Sequence, residues 1–305
     1  MAVKKAQLAR LAKYLEGQSA NEVGEWGMHC PFHFDERRSA SLNVQNEVWY
    51  CNTCDIGGSV SDLLVRLDNG EGVVASFSSN GQGAAKAATK PKGDVSEAKV
   101  RGFHAALLAR PEELAALQAR RGLTQRTITD YQIGWDIDQD AYTIPIRDKI
   151  GDVCNIRFYK LDPGAERRKI WSVLGHGEPV LYPISILDDN REIIICEGEW
   201  DALLTIQNGF PAITRTGAAK VWKDSWNPLF EDKCVYLCHD MDVPGQLGNS
   251  KVQGALKDYA AEVKIVLLPF RVTDKAGKDL TDYWMAGFEP GDFKEILNDS
   301  EGVSR

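Results

Sequence analysis

The 305-residue chain is 43% hydrophobic and 26% charged, an ordinary balance for a globular protein with room for one or two cored domains and a small module. It has no uncharged apolar run of the ~18 residues that a membrane span needs. Its first residues carry charges every few positions, which excludes a secretory signal. The net charge of −8 is concentrated in residues 190–305, where 13 basic residues face 19 acidic ones, so any grip on phosphate must come from local basic patches and not from a whole-protein field. Such acidity is either a solvated surface or a set of converging carboxylates, and the latter needs a divalent cation to approach phosphate.

From the N-terminus, Val3, Leu8, Leu11, Ala12 and Leu15 fall at helical spacing and predict a short amphipathic helix ending at Gly17. Residues 26–67 form a Cys/His-bearing unit that joins this helix in a first domain, 1–67. Residues 68–99 are rich in Gly, Ala, Ser and Lys without a periodic apolar face and read as a flexible linker. Helices are expected near 111–120, with Pro111 in the first turn, and near 124–131, with Thr124 as N-cap. Residues 141–160 hold two alternating stretches around the turn DKIG, a hairpin pattern, and complete an α+β region over 100–189.

From 190 to 290 the pattern changes. Apolar runs at 193–196, 234–238 and 263–269 alternate with helix-like segments at 200–208, 245–260 and 279–286. Short apolar runs separated by helices predict an α/β domain with a mainly parallel sheet covered on both faces. Residues 291–305 read as a tail. No GxxxxGK[ST] segment occurs, so the sequence holds no phosphate-binding loop of an ATP-driven motor.

Four of the seven cysteines, Cys154, Cys196, Cys234 and Cys238, sit in apolar runs and read as buried packing. The other three stand in the pattern Cys30-x2-His33, 17 residues, Cys51-x2-Cys54. Two close pairs across a loop put four ligands on facing turns, as tetrahedral zinc requires; four protein ligands leave no open position, so the expected role of Zn²⁺ is structural. The loop between the pairs carries Arg37, Arg38 and Ser39 and then alternates through Leu42, Val44, Val48 and Tyr50. That pattern suits a small ribbon sheet, with its basic edge either a DNA contact or a solvated hairpin. Trp49 and Tyr50 could stack on a base or cover the zinc site.

The carboxylates lie at the ends of successive apolar runs. The first run leads into Glu197-Gly198 and then a helix, with Asp201 about one helical turn after Glu197. Ligands of open α/β sheets gather beyond the carboxyl ends of strands, where Glu197 is expected. The second run ends in His239-Asp240-Met241-Asp242, and strand alternation puts Asp240 and Asp242 on one side. Glu197, Asp240 and Asp242 form a set of hard oxygen ligands suited to Mg²⁺ or Mn²⁺. A third candidate, Lys278 and Asp279 with Asp282, follows the third run.

The segment CPFHFDERRSASLNVQNEVWYCNTCDIGGSVSDLL resembles the zinc-binding domain of DnaG-type bacterial and phage DNA primases, although Ala40 stands where that family usually has proline. The acids, in their order, resemble the TOPRIM domain shared by primases, type IA and II topoisomerases and some nucleases. Glu197 matches the family glutamate, Asp240 and Asp242 its Asp-x-Asp, and Asp201 the further acid of the primase Glu-Gly-x-x-Asp motif. GKDLTD resembles the primase Gly-Lys-Asp segment, with Asp282 one residue later than the pattern. RGLTQRTITDYQIGW, PIRD, NIRFYK and RRKIWS resemble the N-terminal half of the primase catalytic region, which by position assigns template and nucleotide phosphates to Arg157 and Lys169, with Lys278 beside the acids, and further to Lys149 and Arg167.

What this resemblance implies is a zinc-ribbon module tethered to a catalytic region with a Rossmann-like TOPRIM domain. The implied reaction is metal-dependent synthesis of RNA primers on single-stranded DNA from NTPs, in the cytoplasm of a bacterial host. A phage or mobile-element protein working beside a separate replicative helicase, with no membrane, fits that pattern. The alternatives are a TOPRIM-type nuclease and a non-catalytic zinc/TOPRIM DNA-binding protein.

Overall fold

The computed structural model describes residues 5–15, 25–32, 38–51, 56–68, 93–164, 169–217 and 222–304. The chain divides into two units, Met1–Gly93 and Asp94–Arg305.

In the first unit, α1 (Lys5–Leu15) and α2 (Val60–Asp68) accompany a four-stranded antiparallel sheet. Its strands β1 (Glu25–Met28), β2 (Ala40–Asn43), β3 (Val48–Cys51) and β4 (Ile56–Ser59) pair in sequence order. Alternation buries Leu42, Trp49 and Cys51 on the face that meets Leu11, Tyr14, Leu63 and Leu64 of the two helices.

The second unit opens with α3 (Glu97–Leu108), α4 (Pro111–Arg121) and α5 (Gln125–Asp130). Thr124 caps α5 by accepting from Thr127 N, as its sequence position predicts. Helix α3 starts inside the stretch read as linker: Ser96 caps it, and Val100 and Leu107, spaced by two turns, are its only buried residues, which is too thin a stripe to register as periodicity. An antiparallel sheet follows, β5 (Gly134–Asp136), β6 (Ala141–Arg147), β7 (Val153–Tyr159) and β8 (Ile170–Ser172), with β6 and β7 forming the expected hairpin.

The remaining chain, which includes the short helix α6 (Ile186–Asp189), builds a six-stranded sheet in the order β14-β13-β12-β10-β11-β9. Its central strands, β10 (Glu192–Cys196), β11 (Ala212–Arg215), β12 (Cys234–Leu237) and β13 (Glu262–Ile265), are parallel. The edges β9 (Leu181–Tyr182) and β14 (Gly302–Ser304) run antiparallel. Ile194, Cys196, Tyr236 and Cys238 point to one face, under α7 (Glu199–Gln207) and α9 (Leu280–Met285). Ile193, Ile195, Val235 and Leu237 point to the other, under a 3-10 helix (Asp224–Phe230) and α8 (Val243–Leu256). Burial on both faces is why these runs are continuously apolar. The segment read as a tail is instead structured. Glu289 and Asp292 form a capping box, Pro290 opens α10 (Pro290–Asp299), Phe293 and Leu297 bury its inner face, and β14 then adds to the sheet.

Candidate active site

In the first unit, Cys30 and Cys51 are buried, and both sulfurs lie within reach of a polar partner. Phe32 N–H donates to Cys30 Sγ at 3.4 Å, and Ser39 Oγ lies 3.5 Å from Cys51 Sγ. The N–H aimed at Cys30 Sγ favours thiolate, the form that binds metal. Two buried cysteines brought into one core fit the zinc site that the spacing predicts; the other two expected ligands, His33 and Cys54, lie outside the described residues, as does Arg37. Trp49 is buried and packs on Phe32, with ring centroids 5.4 Å apart, while the Arg66 guanidinium covers Phe32 at 4.1 Å. Trp49 therefore belongs to the module's core, and Tyr50 is the half-exposed ring of the pair.

In the second unit, the carboxyl ends of the parallel strands gather three acids: one oxygen from each of Asp201, Asp240 and Asp279 lies within 4.8 Å of the others. Asp201 comes from the first turn of α7, Asp240 from the loop after β12, and Asp279 is the N-cap of α9. Asp201 Oδ1 accepts from Thr281 N at 3.0 Å and from Thr281 Oγ1 at 2.5 Å, which ties α7 to α9. Burial and the Asp279 charge push the Asp201 carboxyl well above the usual range, against the pull of the Thr281 bonds. Burial likewise raises Asp279, opposed by its bond from Asp282 N and by the charges of Arg121 and Lys169. Mutually repelling acids, one buried and two half-buried, are an arrangement that a divalent cation relieves.

Glu197 and Asp242 flank this group. Glu197 follows β10, half-buried, one step past the parallel pair Cys196–Thr214 and so level with Arg215. Asp242 is 7% exposed, and both of its oxygens accept backbone bonds. Oδ1 takes Gly245 N at 2.8 Å as the cap of α8, and Oδ2 takes Gly277 N at 3.2 Å. Bonds from Thr273 N to Met241 O and from Met241 N to Lys278 O, at 3.0 and 2.8 Å, stitch the loop before α9 onto the same turn. A Cβ on Gly277 would stand 2.2 Å from the Met241 carbonyl carbon, so only glycine allows that approach. Asp282 completes the α9 capping box and accepts from Lys278 Nζ at 2.6 Å.

No protein-family model matches the sequence, and no curated protein matches it. Among solved structures, the chain aligns with the primase of Aquifex aeolicus (zinc-binding and RNA polymerase domains) at a TM-score of 0.55 and 16% identity, over 99% of this chain and 87% of that one. A DNA primase domain from Pseudomonas aeruginosa gives a TM-score of 0.53 at 18% identity, over 68% and 78%. A DnaG primase catalytic domain bound to single-stranded DNA gives 0.54 at 18%, over the same shares. The fold is that of the DnaG-type primases.

Within this primase fold, the basic residues take places that spacing alone does not show. Arg157 is buried: Nε donates to Glu199 Oε1 at 3.0 Å and a terminal nitrogen to Ser172 Oγ at 3.0 Å. Lys278 is exposed and paired with Asp282. Lys169 is exposed, its ammonium 5.7 Å from the Tyr159 ring centre. The same ring carries Arg121, at the end of α4, with its guanidinium carbon 4.8 Å from the centre. Arg121 was not singled out by sequence reasoning. Burial lowers its proton affinity while the charges of Asp201, Asp279 and Asp282 raise it, and its buried Nε has no hydrogen-bond partner among the described residues. The only sequence signal is its place in RRGL, at the end of a helix. Arg167 lies outside the described residues, and no helix among them is long and apolar enough to cross a membrane.

Proposed function

We propose that the chain is a DNA primase that synthesises short RNA primers on a single-stranded DNA template. The observation that carries this reading is the convergence of Asp201, Asp240 and Asp279 at the strand ends of a primase fold. In this reading those three carboxylates hold Mg²⁺ or Mn²⁺, which when bound neutralises charge on the NTP phosphates and on the departing pyrophosphate. Thr281 fixes the rotamer of Asp201, and Asp242 fixes the loop that delivers Asp279 and Lys278. Glu197, beside this group, takes the proton of the attacking 3′ hydroxyl as its oxygen bonds to the α-phosphorus. Arg121 and Lys169, on the Tyr159 side, hold triphosphate or template phosphate by charge-assisted contacts. The zinc module contributes template selection, and a separate replicative helicase in the cytoplasm of a bacterial host supplies unwound strand.

The test is primer synthesis from labelled NTPs on random-sequence single-stranded DNA with Mg²⁺. NTP-dependent products that disappear in Asp240→Asn support the reading. DNA cleavage without NTPs would instead assign the same acids to a nuclease, and neither product would leave a zinc-stabilised binder.

A further inference from the structure

Behind Glu197 lies a buried cation that the reaction above does not use. Arg215 closes β11 and is 5% exposed. Its parallel neighbour on β10 is the turn at Glu197, because the register runs Ile194–Ala212, Ile195–Ile213, Cys196–Thr214. One terminal nitrogen lies 3.3 Å from His239 Nε2, and His239 is 1% exposed. A guanidinium only donates, so Nε2 is the acceptor and the imidazole proton sits on Nδ1. Nδ1 in turn faces Gly245 O at 3.3 Å, in the first turn of α8. Gly248 leaves the room for this: a Cβ there would meet His239 Nδ1 at 3.0 Å and an Arg215 terminal nitrogen at 3.8 Å.

The side chain is thus held at one end by a neutral histidine, and its Nε is buried without a hydrogen-bond partner among the described residues. An isolated buried guanidinium is costly and is retained where a counter-charge faces it. Among the charges acting on Arg215 against the cost of its burial, that of Glu197 is the largest.

We infer that Arg215, oriented by His239, is a positioning residue that holds the Glu197 carboxylate at the edge of the Asp201–Asp240–Asp279 group. The Arg215–His239 contact joins the end of β11 to the loop after β12, and the register sets it beside the turn at Glu197 that follows β10. Arg215 therefore acts on the carboxylate that the primase reading assigns to proton removal. The inference rests on that reading for its effect on rate; the pairing itself does not.

Two measurements on the full-length protein decide it. The first is a thermal cycle of Arg215→Met, Glu197→Gln and the double variant. The pairing requires non-additive shifts, with the double variant melting no lower than the worse single one. The second is steady-state primer synthesis. Arg215→Met lowers kcat by about 10- to 100-fold, the usual range for a group that orients a site residue. KM for NTP and the Mn²⁺ affinity read by electron paramagnetic resonance stay within about twofold, and Arg215→Lys, which keeps the charge, restores part of kcat. Additive thermal shifts, an unchanged kcat, or a loss that Arg215→Lys does not restore would each overturn the inference. A non-additive cycle in a protein that makes no primers removes the primase reading and leaves the pairing in place.

Discussion

Arg157 Nε donates to Glu199 Oε1 across 3.0 Å, and both side chains are 6% exposed. The arginine belongs to the hairpin sheet and the glutamate to the first turn of α7, two residues from Asp201. The bond therefore fixes the helix that carries Asp201 against the neighbouring sheet. Breaking it from one side leaves an uncompensated buried charge, which costs ~3–5 kcal/mol. Arg157→Met and Glu199→Leu should each lower the unfolding free energy by about that amount in urea titrations, and the pair together should lower it by far less than the sum. If Arg157 instead grips phosphate, Arg157→Met changes KM for NTP while leaving the urea midpoint in place.

Asp242 presents the opposite case, an acid expected to bind metal whose two oxygens are taken by Gly245 N and Gly277 N. Asparagine keeps one acceptor and loses the other, which leaves a buried N–H unsatisfied at a cost of ~1–3 kcal/mol. Asp242→Asn is expected to lower Tm and to weaken Mn²⁺ binding only modestly. Asp240→Asn is expected to abolish Mn²⁺ binding with little change in Tm. Equal losses of Mn²⁺ affinity in the two variants would return Asp242 to the ligand set.

The raised carboxyls of Asp201 and Asp279 make metal-free stability fall with pH. In the folded chain they keep protons above the pH at which the unfolded chain releases them, so the folded state binds more protons in that window. Their contribution is full below the ordinary carboxylate range and is lost as pH rises through the raised values. A divalent cation replaces the protons, so its stabilisation should grow over the same window. Calorimetry with EDTA, and then with Mg²⁺, should show Tm declining from about pH 4 upward in the first series and recovering in the second. Asp201→Asn/Asp279→Asn should flatten both.

For the first unit, the packing of Trp49 on Phe32 offers a direct readout of zinc. Cys30 and Cys51 are core residues there as well as the proposed ligands, so loss of a bound ion should open the core from beneath. The purified chain should hold about one Zn²⁺, and Cys51→Ser should lose it. Chelation should shift tryptophan emission to the red and weaken binding to template DNA, while leaving Mn²⁺ affinity at the acidic group unchanged.

The strands were legible because their burial on both faces makes them continuous apolar runs, and the acids at their ends could be named from that alone. Which acids converge was not. Asp242 and Asp240 differ by two positions, and what turns one into a clasp is Gly277, far along the chain and close enough only because it lacks a Cβ. Asp279 reads as one acid among several in GKDLTD until α9 places it as an N-cap beside Asp201. Arg157 carried the right charge for phosphate, but its fate depends on Glu199, on another element, which no local pattern reveals. Helix α10 and strand β14 were missed for a different reason: two buried positions and a three-residue edge strand give too little periodicity to read.

Arg121 carries the last expectation. Its guanidinium stacks on Tyr159 near three acids, yet its buried Nε has no hydrogen-bond partner among the described residues. A half-buried donor in that state is ready for an acceptor that arrives with substrate, and a triphosphate drawn to a cation at the acidic group would bring one. Lys169, exposed on the same ring, can follow the phosphate as a mobile point charge, whereas Arg121 offers a fixed fork. Arg121→Lys keeps charge but not the fork, so it should raise KM for NTP by about 10- to 100-fold, the effect of one charge-assisted bond of ~1.5–3 kcal/mol. Lys169→Ala should weaken binding and make activity less sensitive to added salt, because a screened charge contact is gone. Should Arg121→Lys lower Tm and leave KM untouched, its stacking on Tyr159 is a packing contact and the triphosphate is held elsewhere.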